Sequence, residues 1–321
     1  MRISPRPPRH WGGSLLVAVV LVVLLAGSIA GWLWWPRPVQ PPAIAPPPVP
    51  AAAPAVIAIE TASEEQIRDH VASSLTVFRF AANPRILVLD FASLREQGMM
   101  LNRVAALVEK AGLPHDRVLS EGELDQAIHA QGDTVETFYY GHDYSAATLG
   151  RFFALADRDH VELHPEEAKL RALLRQEGWF LPGVTGGLIS IPAVGADDKV
   201  TAAARAAILH HELSHGEFFS SPAYADYVHR FWLTELTEAE RDGVRRFLAK
   251  EEYDASLEEV MYNEMQAYLM FTRDPVFFAP AMAGLTPARL AELQTTFLSG
   301  MPEGWLRDVL ASYPTETSGA R

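Results

Sequence analysis

Residues 211 to 215 read His-Glu-Leu-Ser-His. On an α-helix, positions four apart lie about 40° apart around the axis, so His211 and His215 can turn their imidazoles toward one metal ion. Glu212 stands beside them, suited not to ligation but to taking the proton from a water polarised by that ion. Two nitrogen ligands at this spacing favour Zn2+. The expected chemistry is metal-assisted hydrolysis, with His211 and His215 as metal ligands and Glu212 as the catalytic base.

The element that must carry these groups spans residues 201–219, TAAARAAILHHELSHGEFF, with no proline and no glycine before Gly216. Alanine dominates its first half, which predicts a helix. Ala204, Ala207 and Ile208 share the stripe of His211 and His215, while Ala202, Ala206, Leu209 and Leu213 form a second apolar stripe opposite. A helix apolar on both sides is buried. Two histidines and a glutamate on it need partners, and one metal ion would satisfy them together. His210 lies off the ligand stripe and has no assigned role.

A third protein ligand is required. The extended pattern H-E-x-x-H-x-x-G-x-x-H is excluded, because Phe218 stands where its glycine and Ser221 where its third histidine should be. Residues 255–272, ASLEEVMYNEMQAYLMFT, give a second helical pattern with Leu257, Val260, Met261, Ala267, Tyr268 and Phe271 on one face and Glu264 in its middle. A carboxylate on an apolar face persists only if it is paired or metal-bound. Glu264 is therefore the expected third ligand, with Glu259, His229 and Asp226 as rivals and a structural pairing with Arg230 or Arg273 as the alternative.

Together, His211-Glu212-Leu213-Ser214-His215 and the downstream Glu264-Met265-Gln266-Ala267 resemble the gluzincins, zinc peptidases whose third ligand is a glutamate on a later helix, often in an E-x-x-A motif. The resemblance covers about 70 residues, and the 49-residue gap from His215 to Glu264 identifies no subfamily. It implies a zincin-like fold with Zn2+ on His211, His215 and Glu264 and Glu212 as base. It also implies a strand beside the motif helix whose free edge binds extended substrate. Residues 186–192, GGLISIP, are the candidate, begun by glycines and stopped by proline. An ordinary buried strand is the equal alternative. For the oxyanion of a tetrahedral intermediate, Tyr262, Tyr268, His229 and His142 are all candidate donors.

The chain opens with a short basic segment, residues 1–14, followed by an uncharged apolar run at 15–35. At 1.5 Å per residue that run spans about 31 Å, enough for a single transmembrane helix. Trp32, Trp34 and Trp35 cluster at its far end, and Arg2, Arg6 and Arg9 precede it against Arg37 after it, which predicts that the remainder faces outward. A cleaved signal peptide, ending near Gly27-Ser28-Ile29-Ala30, is the alternative. The segment 36–58 is rich in proline and alanine, with Pro41-Pro42 and Pro46-Pro47-Pro48 adjacent, and reads as a stiff polyproline spacer.

The remainder of the chain divides into an expected N-terminal lobe at 59–180, a zincin-like catalytic lobe at 181–312 and a flexible tail at 313–321. Helical patterns occupy 64–78, 94–112, 121–130, 145–156, 165–177, 235–251 and 287–298, against a buried strand at 85–91. The expected fold class is α+β, mostly helical, with a small sheet beside the active-site helix. Residues 138–144, Phe-Tyr-Tyr-Gly-His-Asp-Tyr, read as a loop that either lines a cleft or forms an aromatic seam between lobes.

Formal net charge is −13, and four arginines fall within the first 37 residues, so the rest is more acidic still. That argues against a nucleic-acid partner. Zero cysteines exclude disulfides and thiolate zinc sites, in keeping with a bacterial periplasm. The expectation is a zinc metallopeptidase anchored in an inner membrane and facing the periplasm or extracellular side, acting on a peptide or protein substrate. Its alternatives are a catalytically silent zincin-fold scaffold and a zinc hydrolase of non-peptide amides.

Overall fold

Alternation along one strand organises the molecule. In the computed structural model, which describes residues 56–313, the strand Ile86–Phe91 (β3) is buried throughout. Its Leu87, Leu89 and Phe91 enter one apolar cluster and its Ile86 and Val88 another. Period-two geometry places those sets on opposite faces of the sheet. Asp90 falls on the same face as Ile86 and Val88, fully buried, and takes a bidentate ion pair from Arg205 at 2.8 Å.

β3 lies at the centre of a mixed five-stranded sheet with Glu60–Ala62 (β1), Thr76–Phe80 (β2), His142–Ser145 (β4) and Gly187–Pro192 (β5), in the order β1-β2-β3-β5-β4. β3 and β5 run parallel, and β4 closes the sheet antiparallel to β5, with His142 opposite Ser190 and Asp143 opposite Ile189. The strand at 187–192 is thus internal, paired on both sides. Of the two readings of this segment, the buried strand holds and the substrate edge is corrected; β4, from the segment read as a loop, is the terminal strand on that side.

Helices cover both faces. Glu64–Asp69 (α1) is a single capped piece ending at His70, where the backbone turns extended, so the helix expected over 64–78 is corrected to a short helix followed by β2. Leu94–Val108 (α2), Glu121–Gln131 (α3), Ala146–Arg158 (α4) and Pro165–Gln176 (α5) supply the cluster that includes Leu87, Leu89 and Phe91. Here Arg103 and Glu167 form a buried ion pair. The opposite face is covered by Ala202–Ser220 (α6), the helix expected at 201–219, capped by Thr201. α6 approaches the sheet backbone to backbone: a Cβ on Gly187 would stand 2.8 Å from the Gly216 Cα. Pro222–Thr234 (α7), Glu238–Lys250 (α8), Glu258–Gln266 (α9), Pro287–Gly300 (α10) and Trp305–Ser312 (α11) build a separate aromatic-rich cluster beyond α6.

The described residues 56–313 cluster as one compact unit, and the sheet crosses the lobe boundary expected at 180, since β5 pairs with β3 and β4. Among the described residues no helix is long and apolar enough to cross a membrane. The basic segment 1–14, the membrane helix expected at 15–35, nearly all of the expected linker 36–58 and the expected tail from 314 lie outside the described residues.

Candidate metal centre

α6 brings His211, Glu212 and His215 to the level of the sheet, and α9 brings Glu264 across from them. The Nε2 atoms of His211 and His215 stand 3.1 Å apart. The Glu264 carboxylate straddles them, Oε2 lying 3.7 Å from His211 Nε2 and Oε1 3.7 Å from His215 Nε2. Each of the three offers a ligand atom within 4.8 Å of the others, and this buried group can hold a metal ion.

The orientation of His211 is set by its far nitrogen. The Thr272 hydroxyl donates to the Ala267 carbonyl at 3.0 Å, so at 2.8 Å from His211 Nδ1 it acts as acceptor. That fixes the tautomer with the proton on Nδ1 and the lone pair on Nε2, the form a metal ligand needs. His215 is fully buried, and its Nδ1, without a hydrogen-bond partner, faces Asp143 Oδ1 at 3.6 Å. Asp143 points there because it pairs with Ile189, which lies on the α6 face of the sheet.

Electrostatics favour the same species. Burial holds the His211 imidazole well below its usual range and pushes His215 down to about 4, so both are neutral at pH 7. Burial pushes the Glu264 carboxyl well above the ordinary range, with Glu109 and Glu212 adding to it. Glu264 Oε2 is buried without a donor. The lone pair on His211 Nε2, the His215 Nε2 3.1 Å from it and the Glu264 carboxylate together fit a cation.

Thr272 reaches His211 because the chain changes pitch after α9. Ala267–Phe271 forms a π-helix, closed by a bond from Thr272 N to the Ala267 carbonyl. Such wider turns are frequent at functional sites. This one also sets the Tyr268 ring edge-on to His211, with centroids 4.7 Å apart.

Glu212 lies outside the ligand set. It is 5% exposed, and its Oε2 has no hydrogen-bond partner. Burial pushes its carboxyl well above the usual range, with Asp143 and Glu109 adding to the effect. Its other oxygen packs against the main chain of Gly141, where a Cβ would come within 2.0 Å of Oε1. His211 and Glu212 line a cleft of about 370 Å3 together with Tyr139, Tyr140, Gly141, Tyr253 and Tyr268. The segment 138–144 is therefore cleft wall as well as aromatic seam.

The rivals for the third ligand, Glu259, His229 and Asp226, are exposed. Of the candidate oxyanion donors, Tyr268 lines the cleft, whereas Tyr262 stacks on His229 and is not among the cleft-lining side chains. His142 is buried, bonded to Ser190, Asn102 and Gln97. His210 bonds Glu64 and Tyr313 and has a structural part. Sequence reasoning assigns no individual role to Thr272, Gly141, Asp143 or Glu109. Asp143 stands in the aromatic segment; nothing in the sequence around Glu109 marks it. No protein-family model, curated protein or solved structure matches this chain.

Proposed function

We propose that this chain is a zinc metallopeptidase, hydrolysing peptide bonds with a metal-polarised water and Glu212 as general base. The observation that carries the reading is the convergence of His211, His215 and Glu264 on one buried point, with the unpartnered Glu212 carboxylate beside it on the floor of an open cleft. Two imidazoles and one carboxylate are the donor set of a catalytic zinc site, which keeps a position open. When bound there, Zn2+ supplies Lewis acidity, making a water easier to deprotonate and a carbonyl easier to attack.

The chain's own groups perform the proton movements. Glu212 takes a proton as the water oxygen bonds to the carbonyl carbon, then returns it to the nitrogen as the C–N bond breaks. A carboxyl whose proton affinity is raised by burial suits both steps. The Tyr268 hydroxyl is the donor best placed to stabilise the oxyanion, since it lines the cleft beside His211. We place an extended substrate in the cleft beside Gly141, whose main chain rather than a side chain faces Glu212. That main-chain wall favours a peptide over a small non-peptide amide, and an intact base favours an enzyme over a silent scaffold.

The sequence at 15–35 supports a single-pass anchor in a bacterial inner membrane, with the catalytic unit facing the periplasm. Glu212→Gln is expected to abolish peptide hydrolysis while the protein keeps its zinc. Wild-type turnover in that variant would remove Glu212 from the mechanism.

A further inference from the structure

Just beyond α5 the chain forms an apolar loop that the fold leaves uncovered. Residues 178–183 read Gly-Trp-Phe-Leu-Pro-Gly. Gly178 and Gly183 bracket it with φ of 71° and 76°, the left-handed conformation that glycine adopts without strain, and Leu181 N donates to the Gly178 carbonyl at 3.0 Å. Within this bracket Trp179 is buried, whereas Leu181 is 65% and Phe180 38% exposed, and Pro182 is exposed beside them. Phe180 is held by an edge-on contact with Phe153, the ring centroids 5.9 Å apart.

A groove of about 550 Å3 adjoins the loop, lined also by residues of α4 and α5. Small residues on α4 keep it open: Ala147 and Gly150 line it, and a Cβ on Gly150 would meet nothing within 4 Å. Its charged lining is two arginines, Arg171 and Arg175, against one aspartate, Asp157, so the groove is cationic in a chain whose formal net charge is −13. Arg171 Nη1 donates to Asp157 Oδ1 at 2.8 Å, and its guanidinium lies over the Phe153 ring. Arg175 is exposed. Glu177, the carboxylate next to the loop in sequence, is engaged by Arg79.

The N-terminal end of the described chain is fastened at the same place. Ile57 N donates to Gln176 Oε1 at 2.9 Å, and Gln176 Nε2 donates to the Ile57 carbonyl at 2.9 Å. Gln176 is the last residue of α5, two positions before the loop. The apolar run at 15–35, read as a membrane anchor, therefore joins the fold beside Phe180 and Leu181, with Val56 also exposed there.

We infer that Phe180, Leu181 and Pro182, with Arg171 and Arg175, form a contact surface for a bilayer containing anionic phospholipid. An apolar tip with guanidiniums beside it matches the layering of such an interface, where the acyl boundary lies beneath phosphate oxygens. Arginine pairs with phosphate by charge-assisted bonds, and the anionic surface attracts it. The anchor raises the effective concentration of bilayer at this loop. α4 and α5 cover the face of the sheet opposite α6, so the contact leaves the helix that carries the metal centre uncovered. The inference rests on the anchor reading of 15–35 and not on the metal site.

Because the chain has no cysteine, a single label can be placed cleanly. Thr185→Cys, exposed beside the loop, carries a polarity-sensitive fluorophore in the full-length protein, and Val276→Cys, 75% exposed, carries it as control. Each protein is placed in vesicles of phosphatidylcholine with phosphatidylglycerol and of phosphatidylcholine alone, and quenching by aqueous acrylamide is measured with co-flotation. In the anionic vesicles the label at 185 should be blue-shifted and quenched at least about threefold less than the label at 276, and phosphatidylcholine alone should weaken the difference. Leu181→Asp and Arg175→Glu, both surface changes checked by circular dichroism, should each return the label at 185 to the control value. Equal quenching at 185 and 276 in protein that co-floats would overturn the contact and leave the anchor standing. Equal quenching in protein that does not co-float would overturn both. Protection that persists in folded Leu181→Asp would also overturn the lipid surface and assign the loop to a contact between protein chains.

Discussion

Replacing Gly141 with alanine adds one methyl group at the point where the cleft wall meets Glu212, the proposed general base. The new Cβ would stand 2.0 Å from Glu212 Oε1, 2.7 Å from its Cδ and 3.0 Å from its Cγ. Ordinary contact begins at 3.4 Å, so the carboxylate is displaced by about 1.4 Å, and the approach to Cγ means that turning the terminal oxygens alone does not relieve it. A general base must come within about 3.2 Å of the proton it takes, and misplacement by 1 Å costs on the order of 100-fold in rate. The expected loss in kcat is therefore about 100-fold, equivalent to about 2.7 kcal/mol of transition-state stabilisation. Overpacking should also cost about 1–3 kcal/mol in stability. Zinc content should not change, because Glu212 is not a ligand. The assay is hydrolysis of a quenched-fluorescent peptide that the wild type cleaves, with zinc determined on the same preparations. Gly122→Ala, where nothing lies within 4 Å of the new Cβ, serves as control. A folded Gly141→Ala protein with kcat within about twofold of wild type would refute the placement of Glu212.

Four further outcomes are expected from the geometry. Tyr268→Phe should lower kcat by about 100-fold or more with zinc retained, measured by steady-state kinetics and elemental analysis; an unchanged kcat would remove Tyr268 as the oxyanion donor. Gly187→Ala should destabilise the fold by about 1–3 kcal/mol in urea melts, because its Cβ would meet the backbone of Gly216 at 2.8 Å and push α6 off the sheet. Arg205→Met leaves Asp90 buried without its bidentate partner and should cost about 3–5 kcal/mol by the same measurement. His142 is held neutral by burial, its pKa pushed down to about 3 against an unfolded value of 6.5. The unfolded chain therefore takes up the proton first, and the stability His142 contributes is complete above pH 6.5 and is lost as pH falls toward 3. Urea melts of metal-free protein between about pH 7 and 4 should show a loss of up to about 1.4 kcal/mol per pH unit from this group, reduced in His142→Gln.

The parts legible in the sequence are those that local pattern determines. α6 can be read because an alanine-rich run without proline leaves helix as the only economical structure, and because its two apolar stripes announce burial on both sides. Glu264 can be read because it interrupts an apolar face, where a lone carboxylate is unstable without a partner. The order of strands depends on pairing between distant segments, and so the internal position of 187–192 leaves no local trace. β4 has four residues; its burial alternates His142 and Tyr144 against Asp143 and Ser145, a signal too short to separate from the surrounding aromatic loop. β2 is hidden in the helical pattern of 64–78, although Val77, Phe78 and Phe80 around Arg79 carry the β-branched and aromatic character of a strand. The π-helix at Ala267–Phe271 has no sequence signature here, and Thr272 is invisible in the sequence as the acceptor that orients His211. Glu109 and Asp143 meet Glu264 only through the tertiary fold.

In the proposed site His211, His215 and Glu264 hold one zinc ion and Glu212 does not. Elemental analysis of the purified full-length protein with its His211→Ala, Glu264→Ala and Glu212→Gln variants separates ligand from base. One zinc per chain is expected in the wild type and in Glu212→Gln, with zinc lost from His211→Ala and Glu264→Ala. A wild-type protein that takes up no zinc when it is supplied, or a Glu264→Ala variant that keeps it, would contradict the site.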